Sequence, residues 1–357
     1  MNVVNTPVPL AGYTTLRLGG PAEVFVDATK SNEVIDAVRE ADQAGTPLLV
    51  LGGGSNLVVS DDGFAGTVVR VATKGRGHDP LGDGLVRLTV EAGENWDDVV
   101  ADAVANDLGG LEALSGIPGL AGATPVQNVG AYGVEVADLL LSVDLLDRRS
   151  GQVRQVPAAE LGLGYRTSVL KGTDHAVVLR ASFALRTGGQ SAPVRYAELA
   201  NTLGVELGAR VPAAQVREAV LALRTGKGMV LDPEDHDTWS AGSFFTNPIV
   251  AEADLPRVLS LIHAKLGPEV RVPQYPGGAG RTKLSAAWLI ERAGFLRGYE
   301  AAEGRVSLSH KHTLALTNRG KANTDDLLTL AREVRDGVRA AFEVDLHPEP
   351  VFVGCCL

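Results

Sequence analysis

Cysteine, long apolar runs and positive charge are all scarce in this chain of 357 residues. The only cysteines, Cys355 and Cys356, are adjacent at the C-terminus, which suits neither an ordinary structural disulfide nor an obvious metal site. No run of eighteen apolar residues occurs, so we expect no membrane-spanning segment. The N-terminus has no basic region followed by an apolar one, so we expect no export signal.

The deficit of positive charge gives a net charge of −10 and a pI near 5.3, which argues against nucleic acid as a general partner. A net negative charge still allows a local basic pocket that binds an anionic small molecule. Hydrophobic residues at 45% and charged residues at 21% are typical of globular proteins. The length allows two or three domains, so a cytoplasmic enzyme or binding protein is the default expectation.

Two common nucleotide-binding fingerprints are also missing. Residues 52–56 (Gly-Gly-Gly-Ser-Asn) follow a short apolar strand predicted at 47–51, but Leu57 stands where a dinucleotide fingerprint needs its third glycine. A phosphate-binding loop would need Gly-Lys-Ser or Gly-Lys-Thr, which does not occur there. Successive N–H groups, with Ser55 and Asn56 as further donors, would suit a pyrophosphate, although a simple tight turn explains residues 52–56 at least as well.

The stretch at 115–133 is the most informative one in the chain. It holds five glycines and two prolines, so it cannot propagate a regular helix. Apolar residues such as Ile117, Val129 and Tyr132 are spaced through it, so it is not a polar linker. An irregular apolar segment must pair its own backbone polar groups or offer them to a ligand. A buried loop with tight turns is one interpretation, and a cofactor cradle is the one we favour.

Periodicity and turn signals predict three units along the chain. The first is a small β-α-β-β unit whose glycine turn follows a central strand buried on both faces. The second begins near residue 73, and residues 225–241 form a linker to the third. We predict strands at 47–51, 67–71, 140–147, 152–156, 176–186, 305–308 and 313–317. We predict helices at 32–44, between Asn95 and Gly109, from Pro212 in a first turn to about 224, near 252–266, at 283–293 and at 325–342.

Five motifs occur in order at 51–56, 116–133, 164–168 (Gly-Tyr-Arg-Thr-Ser), 241–248 (Ala-Gly-Ser-Phe-Phe-Thr-Asn-Pro) and 348–349 (Pro-Glu). Together they resemble the UDP-N-acetylenolpyruvoylglucosamine reductase family, the UDP-N-acetylmuramate dehydrogenases of bacterial peptidoglycan synthesis. The resemblance runs from about residue 12 to 354. Each motif alone is modest, but five in order with fitting spacings are highly specific.

The resemblance implies an α+β protein with a two-part FAD-binding fold of the vanillyl-alcohol oxidase (PCMH) type and a third, α/β substrate-binding domain. We assign 1–72 with 346–357 to the first FAD-binding subdomain, 73–225 to the second, and 226–345 to the substrate-binding domain. Non-covalent FAD would take a hydride from NADPH, the co-substrate, and pass it to UDP-N-acetylglucosamine enolpyruvate. We expect a cytoplasmic monomer that binds neither nucleic acid nor a membrane.

The resemblance also implies three catalytic residues. Arg166 matches the arginine that clamps the substrate carboxylate, Glu349 its carboxyl partner, and Ser243 the residue that delivers a proton. Each has a plain structural interpretation outside its motif: a surface arginine, a helix-capping serine and a solvated edge carboxylate. Because all three residues lie within matched motifs, we favour the functional interpretation for each. His347 and Pro350 depart from the family, whose members often carry an acidic residue and an aliphatic one there.

Binding residues follow from the same motifs. For FAD we expect contacts from Gly52, Gly53, Gly54, Ser55, Asn56, Ser115, Ile117, Gly122, Thr124, Gly130 and Arg224. For the substrate we expect contacts from Tyr132, Tyr165, Tyr196, Lys227, Asn247, Lys283 and Glu291. His310 and His312 are interpreted as a strand–turn pair, and we predict no metal.

Two other functions fit parts of this pattern. One is an FAD-dependent oxidase of the same fold that acts on an alcohol or sugar lactone, uses oxygen and often holds FAD covalently through His or Cys. Neither residue type occurs at 51–57 or 115–133, which counts against covalent attachment. The other is a non-catalytic module that binds flavin or a nucleotide sugar, which would be signalled by loss of Arg166, Ser243 or Glu349. All three are present.

Overall fold

The structure is a computed structural model that describes residues 2–4 and 7–357. The chain forms two compact units. The first unit comprises the described residues up to Val8 together with Ala22–Gly54 and Phe64–Val230; the second comprises Pro9–Pro21, Ser55–Gly63 and Leu231–Leu357. The three domain ranges expected from the sequence stay a prediction.

The elements of the described residues are numbered here in chain order. The strands are β1 (Asn2–Val4), β2 (Val8–Pro9), β3 (Pro21–Ala28), β4 (Leu48–Leu51), β5 (Leu57–Val59), β6 (Phe64–Val71), β7 (Arg76–Gly82), β8 (Leu85–Glu91), β9 (Gly130–Ala131), β10 (Val134–Glu135), β11 (Leu140–Asp147), β12 (Gln152–Pro157), β13 (Ala176–Arg186), β14 (Ile249–Ala251), β15 (Gln274–Pro276), β16 (Arg281–Leu284), β17 (Glu300–Ala301), β18 (Val306–Leu308), β19 (Leu316–Asn318) and β20 (Val351–Val353). The helices are α1 (Ser31–Ala44), α2 (Trp96–Ala105), α3 (Ala197–Leu203), α4 (Ala213–Gly226), α5 (Leu255–Leu266), α6 (Ala286–Ala293) and α7 (Thr324–Phe342).

The first sheet of the first unit has the order β1-β3-β6-β4, with β3 and β4 parallel to β6. Helix α1 buries Val34, Ala37 and Val38 against it and is capped by Gly45, whose φ of 64° is the left-handed conformation that glycine favours. The prediction of this helix is confirmed. The prediction that the strand before the glycine turn is central and buried on both faces is wrong, because β4 ends the hydrogen-bonded order and is mostly half-buried.

The second sheet of the first unit is antiparallel, in the order β12-β11-β13-β8-β7. Its core is built from alternate residues such as Val90 and Phe183, and the Phe183 ring lies 5.6 Å from that of Trp96 on α2. The predicted strands β11 and β13 are confirmed. Strand β7 was not predicted, because it is almost wholly exposed and its two glycines and one proline give no alternation of apolar residues.

The second unit packs small sheets and helices around α7. Leu327, Leu330, Val334 and Val338 recur at helical spacing and are fully buried, so α7 presents one apolar face to the core. Asn323 caps this helix by accepting from Asp326 N at 2.8 Å.

One predicted helix of the second unit begins later than expected. The predicted helix 283–293 begins only at Ala286, because Arg281–Leu284 is a strand and Ser285 forms the cap. Strand β20 pairs in parallel with β5.

Among the described residues, none of the helices combines the length and apolar composition that crossing a bilayer requires.

Candidate active site

The glycine turn after β4 and the 115–133 loop pack directly on each other within the first unit. A Cβ on Gly53 would lie only 2.7 Å from Gly119 Cα, so no larger residue fits there without movement. A Cβ on Gly122 would lie 2.4 Å from Ala92 Cβ, and the Gly122 amide donates to Ala92 O at 2.9 Å. The segments predicted to hold the cofactor therefore meet backbone to backbone.

A cavity of about 200 Å³ opens beside these glycines. Its lining includes residues from the end of β4, from the 120–126 segment and from the start of β13, together with Val71, Ala92, Leu170 and Thr173. Gly52, Gly122 and Val126 are among the lining residues, and the remainder are mainly apolar. A mainly apolar lining that includes glycines suits a flat ring system.

Three side chains predicted for the cofactor shape the loop itself. Ser115 and Thr124 are buried, and their hydroxyls donate to Glu112 O at 2.7 Å and to Ala121 O at 2.9 Å. Ile117 packs, half-buried, against the core of this unit. Each hydroxyl oxygen keeps lone pairs, so Ser115 and Thr124 can hold the loop and still accept a hydrogen bond from a ligand.

An ion pair that was not predicted fixes the start of the same loop. Asp97 Oδ1 accepts from Gly116 N at 2.6 Å, and both Asp97 oxygens accept from Arg217 on α4, at 2.5 and 2.9 Å. Burial alone would raise the pKa of Asp97, but the Arg217 guanidinium and the Gly116 amide together hold that pKa below its ordinary value of 3.8. Asp97 thus ties α2, α4 and the loop together.

Arg224 of α4 carries an unsatisfied donor beside that loop. Its Nη2 donates to Met229 O at 2.8 Å, whereas its buried Nε has no hydrogen-bond partner in the described part of the chain. That Nε lies 3.4 Å from the position of a Cβ on Gly116. Burial lowers the pKa of the guanidinium, while Tyr132 and Asp97 oppose the shift. A buried donor without an acceptor is costly, so a bound anion such as a diphosphate would stabilise this arrangement.

Three predicted substrate residues lie together at this end of the first unit. The rings of Tyr132 and Tyr196 meet edge to face with centroids 5.5 Å apart, and Lys227 Nζ lies 5.9 Å from the Tyr132 ring centroid. Lys227 also pairs with Glu198 at 2.6 Å. Tyr132 has a φ of 50°, an uncommon value for a non-glycine residue, and burial raises the pKa of its hydroxyl. Tyr132, Tyr196 and Lys227 therefore lie close together, and their roles toward a substrate stay predictions.

Arg166 lies in the connection between β12 and β13, and its side chain reaches back to the 115–133 loop. Its Nη2 donates to Gly130 O at 2.7 Å, and its Cζ lies 5.4 Å from the ring centroid of Tyr165, which is 42% exposed. Arg166 has a φ of 54°. The connection is held in place by Asn128, whose Nδ2 donates to Gly164 O at 3.0 Å. The guanidinium is therefore positioned beside a loop residue predicted for the cofactor.

In the second unit, Ser243 and Glu349 lie on neighbouring segments. Glu349 N donates to Phe244 O at 2.9 Å, and Phe244 N donates to Leu314 O at 2.8 Å. Asn56, predicted as a cofactor donor, gives its Nδ2 to Glu349 O at 3.3 Å. Both Ser243 and Glu349 are half-buried, and the backbone hydrogen bonds hold Glu349 and the residue that follows Ser243.

The remaining predicted residues have identifiable places. Gly54 adopts a φ of 58°, and the half-buried Ser55 follows it. Asn247 Oδ1 accepts from Ala286 N at 2.9 Å at the start of α6, and Glu291 Oε1 accepts from the Thr313 hydroxyl at 2.5 Å. Lys283 is half-buried on β16. The contacts of Asn247 and Glu291 are structural, and their predicted substrate roles stay predictions.

His312 was interpreted from the sequence only as part of a strand–turn pair. Its Nε2 lies 3.5 Å from Ser243 Oγ, a contact between positions 69 apart in the chain. The sequence shows two histidines on either side of Lys311, but no local pattern indicates that His312 contacts Ser243. No group of three or more His, Cys, Asp or Glu residues among those described is arranged to hold a metal ion.

Comparison with known protein families defines the class. Residues 22–156 match the model described as FAD binding domain, and residues 232–353 match the model described as UDP-N-acetylenolpyruvoylglucosamine reductase, C-terminal domain. The cradle of closely packed glycines and the unsatisfied Arg224 donor fit such a flavin site. The chain is an FAD-binding oxidoreductase, and its predicted α+β class with a flavin-binding fold and a further domain is confirmed.

Full-length relatives define the particular family. The chain is 72% identical to UDP-N-acetylenolpyruvoylglucosamine reductase of Saccharopolyspora erythraea over 98% of its length and 95% of the relative, and 60% identical to that of Nocardia farcinica over 98% and 90%. The crystal structure of UDP-N-acetylenolpyruvylglucosamine reductase from Thermus caldophilus matches 99% of this chain and 100% of that one, with 26% identity and a TM-score of 0.65. The chain belongs to the UDP-N-acetylenolpyruvoylglucosamine reductase family, as its motifs predicted.

The Asp97 ion pair leads to a stability prediction. Asp97→Asn removes the charge opposite Arg217, so we expect the free energy of unfolding to fall by about 1–2 kcal/mol, a value reduced for partial exposure. We also expect weaker FAD binding, because Gly116 loses its charged acceptor. Asp98→Asn, an exposed neighbour on the same turn of α2, is the control. Chemical denaturation and flavin titration measure both effects, and equal results for the two variants would contradict the role of Asp97.

The same pair predicts a pH dependence. Because the pKa of Asp97 is lower in the folded chain than its ordinary value of 3.8, its stabilising effect is complete above about pH 4 and is lost as the pH falls through the folded pKa. The difference in unfolding free energy between the wild type and Asp97→Asn should therefore be constant from pH 5 to 7 and narrow in more acidic solution. A difference that widens on acidification would contradict this sign.

Proposed function

We propose that this chain catalyses the NADPH-dependent reduction of UDP-N-acetylglucosamine enolpyruvate to UDP-N-acetylmuramate, a step of peptidoglycan synthesis. The observation that carries the proposal is the 72% identity, over 98% of the chain, to a relative named as this reductase. The candidate catalytic residues Arg166, Ser243 and Glu349 are all present in their motifs. Bound FAD would supply the redox chemistry by taking a hydride from NADPH and giving it to the enolpyruvyl double bond.

The cofactor would be held without a covalent bond. Segments 51–57 and 115–133 contain neither His nor Cys, which supports this. Glycines 52–54, 122 and 130 would allow close approach of the backbone, and the Arg224 Nε would find its acceptor on a phosphate. Ser55, Asn56, Ser115, Ile117 and Thr124 would complete the contacts.

The reaction requires charge stabilisation and a proton from this chain. A hydride that adds to the terminal carbon of the enol ether leaves negative charge on the adjacent carbon and on the attached carboxylate. Arg166 would hold that carboxylate with its planar fork, and Glu349 would help to stabilise the enol-like intermediate. Ser243 would then protonate the adjacent carbon.

The nucleotide end of the substrate would bind to aromatic and cationic groups. Tyr132 and Tyr196 offer ring faces and hydroxyls, and Lys227 lies beside them as a positive charge for the diphosphate. Lys283 and Asn247 are proposed as further partners of the phosphates, and Tyr165 and Glu291 as further contacts of the substrate.

A stoichiometry measurement tests this function. Under nitrogen, the protein supplied with NADPH and UDP-N-acetylglucosamine enolpyruvate should form UDP-N-acetylmuramate in amounts equal to the NADPH consumed, as determined by mass spectrometry and absorbance. Product formation that depends on oxygen, or peroxide release in its place, would favour the oxidase alternative and contradict the proposal.

A tyrosine hydroxyl provides a sharper test of the substrate site. Tyr196→Phe keeps the ring contact with Tyr132 but removes the hydroxyl, so we expect KM for the UDP-sugar to rise about 5- to 10-fold while kcat changes little. Tyr299→Phe is the control, because its hydroxyl donates to Glu333 on α7. Steady-state kinetics give both constants, and an unchanged KM for Tyr196→Phe would exclude the contact.

We also propose that the chain works as a cytoplasmic monomer and binds neither nucleic acid nor a membrane. Its proposed reductant, NADPH, is a cytoplasmic nucleotide. The net charge of −10 disfavours contact with polyanions. Light scattering during gel filtration would measure the oligomeric state, and a dimer mass would contradict that part of the proposal.

A further inference from the structure

The two histidines of the 309–313 segment have different partners. His310 contacts Asp237, whose Oδ1 lies 3.0 Å from His310 N and 3.3 Å from His310 Nδ1. His312 instead brings its Nε2 to 3.5 Å from Ser243 Oγ. The two imidazoles can therefore be compared directly, because only that of His312 lies beside the proposed proton donor.

The backbone around His312 is closely held, so its position is not that of a free surface side chain. The buried Ser309 accepts from His312 N at 3.2 Å, and His312 O accepts from Ala315 N at 3.0 Å. Two residues further on, Leu314 O accepts from Phe244 N at 2.8 Å, which ties this turn to the segment that carries Ser243. The contact between His312 and Ser243 is therefore set by main-chain geometry on both sides.

We propose that His312 is a positioning residue for Ser243: its Nε2–H donates a hydrogen bond to Ser243 Oγ. This inference rests on the proposed role of Ser243 as proton donor. A serine hydroxyl has one proton and two lone pairs. If Nε2–H occupies a lone pair, the hydroxyl proton is left to point at the substrate carbon.

The same hydrogen bond would stabilise the product of the transfer. When Ser243 gives its proton to the carbon, the electron pair of the O–H bond stays on Oγ as an alkoxide. A donor aimed at an atom where charge develops lowers the barrier, and such contacts are often long before the substrate binds. Water then returns a proton to Oγ and leaves as hydroxide, so the imidazole is left unchanged.

The tautomer of His312 is the first test, and it needs no turnover. In protein labelled with ¹⁵N-histidine, NMR should show the imidazole of His312 protonated at Nε2 and not at Nδ1 near neutral pH. The signal is assigned by its loss in His312→Gln. A neutral Nδ1–H tautomer would leave no donor toward Ser243 and would overturn the proposal.

The second test uses rapid mixing to follow the two half-reactions separately. In His312→Ala, reoxidation of the reduced flavin by UDP-N-acetylglucosamine enolpyruvate should be slowed about 10- to 100-fold, while flavin reduction by NADPH changes less than about 2-fold. His312→Gln, which restores a donor N–H, should recover most of that rate. His310→Gln is the matched control and should reoxidise like the wild type.

A double variant decides whether His312 acts through Ser243. In a Ser243→Ala background, His312→Ala should change reoxidation by less than about 2-fold. A further slowing as large as in the wild type would overturn the proposal, as would wild-type reoxidation in His312→Ala. If His312→Ala does not fold, His312→Met, which fills the space but cannot donate, replaces it. If Ser243→Ala alone leaves reoxidation intact, the proton-donor role itself fails, which is a separate result.

Discussion

Replacing Arg166 by lysine is expected to lower turnover of the enolpyruvyl substrate about 10²- to 10³-fold although the positive charge is kept. The reason lies in the geometry of the guanidinium. One of its nitrogens already donates to Gly130 O at 2.7 Å, and its plane lies near the Tyr165 ring. A lysine ammonium is a single point and cannot keep the loop contact while it also holds both oxygens of a carboxylate.

The Arg166→Lys experiment needs a matched control variant and a measurement of flavin content. Arg154→Lys changes an exposed arginine of β12 in the same unit and should leave turnover at the wild-type level. Flavin content should be measured for both variants, so that lost cofactor is not mistaken for lost chemistry. Wild-type turnover in flavin-loaded Arg166→Lys would show that the carboxylate is held elsewhere.

Replacing Ser243 by alanine is expected to slow the oxidative half-reaction about 10²- to 10⁴-fold, the range for loss of a general acid. Flavin reduction by NADPH should change less than about 2-fold, because hydride transfer to the cofactor needs no proton from Ser243. Alanine fits the site, since the neighbouring Phe244 and Phe245 supply the buried contacts of this segment. Stopped-flow absorbance separates the two half-reactions.

The control for Ser243→Ala is Ser260→Ala, which removes an exposed hydroxyl from α5 in the same unit. That variant should match the wild type in both half-reactions. If Ser243→Ala slows reduction and reoxidation equally, the serine affects the fold or the cofactor and is not the specific proton donor.

Local signals in the sequence were enough for several elements. Helix α1 has an apolar face and is followed by a glycine, and α7 is preceded by its cap Asn323 with an aspartate three residues after that cap, so both helices could be predicted. The 115–133 loop could be predicted as irregular and apolar from its glycines and prolines alone. Gly53 and Gly122 then proved to be points where backbone meets backbone or a small side chain.

Contacts between distant positions could not be predicted in the same way. Asp97 and Arg217 are separated by 120 residues and Ser243 and His312 by 69, and no periodicity links either pair. Strand β7 was missed because its pairing to β8, not its side chains, makes it a strand. The order of the first sheet likewise depends on pairing, which is why β4 was placed at the centre when it lies at the end.

The most direct test of the central proposal is an anaerobic stopped-flow experiment on the wild-type protein loaded with FAD. NADPH should bleach the flavin absorbance, and subsequent addition of UDP-N-acetylglucosamine enolpyruvate should restore it without oxygen. That result would establish the two half-reactions in the proposed order. A flavin that bleaches with NADPH but recovers only when oxygen is admitted would contradict the reductase function.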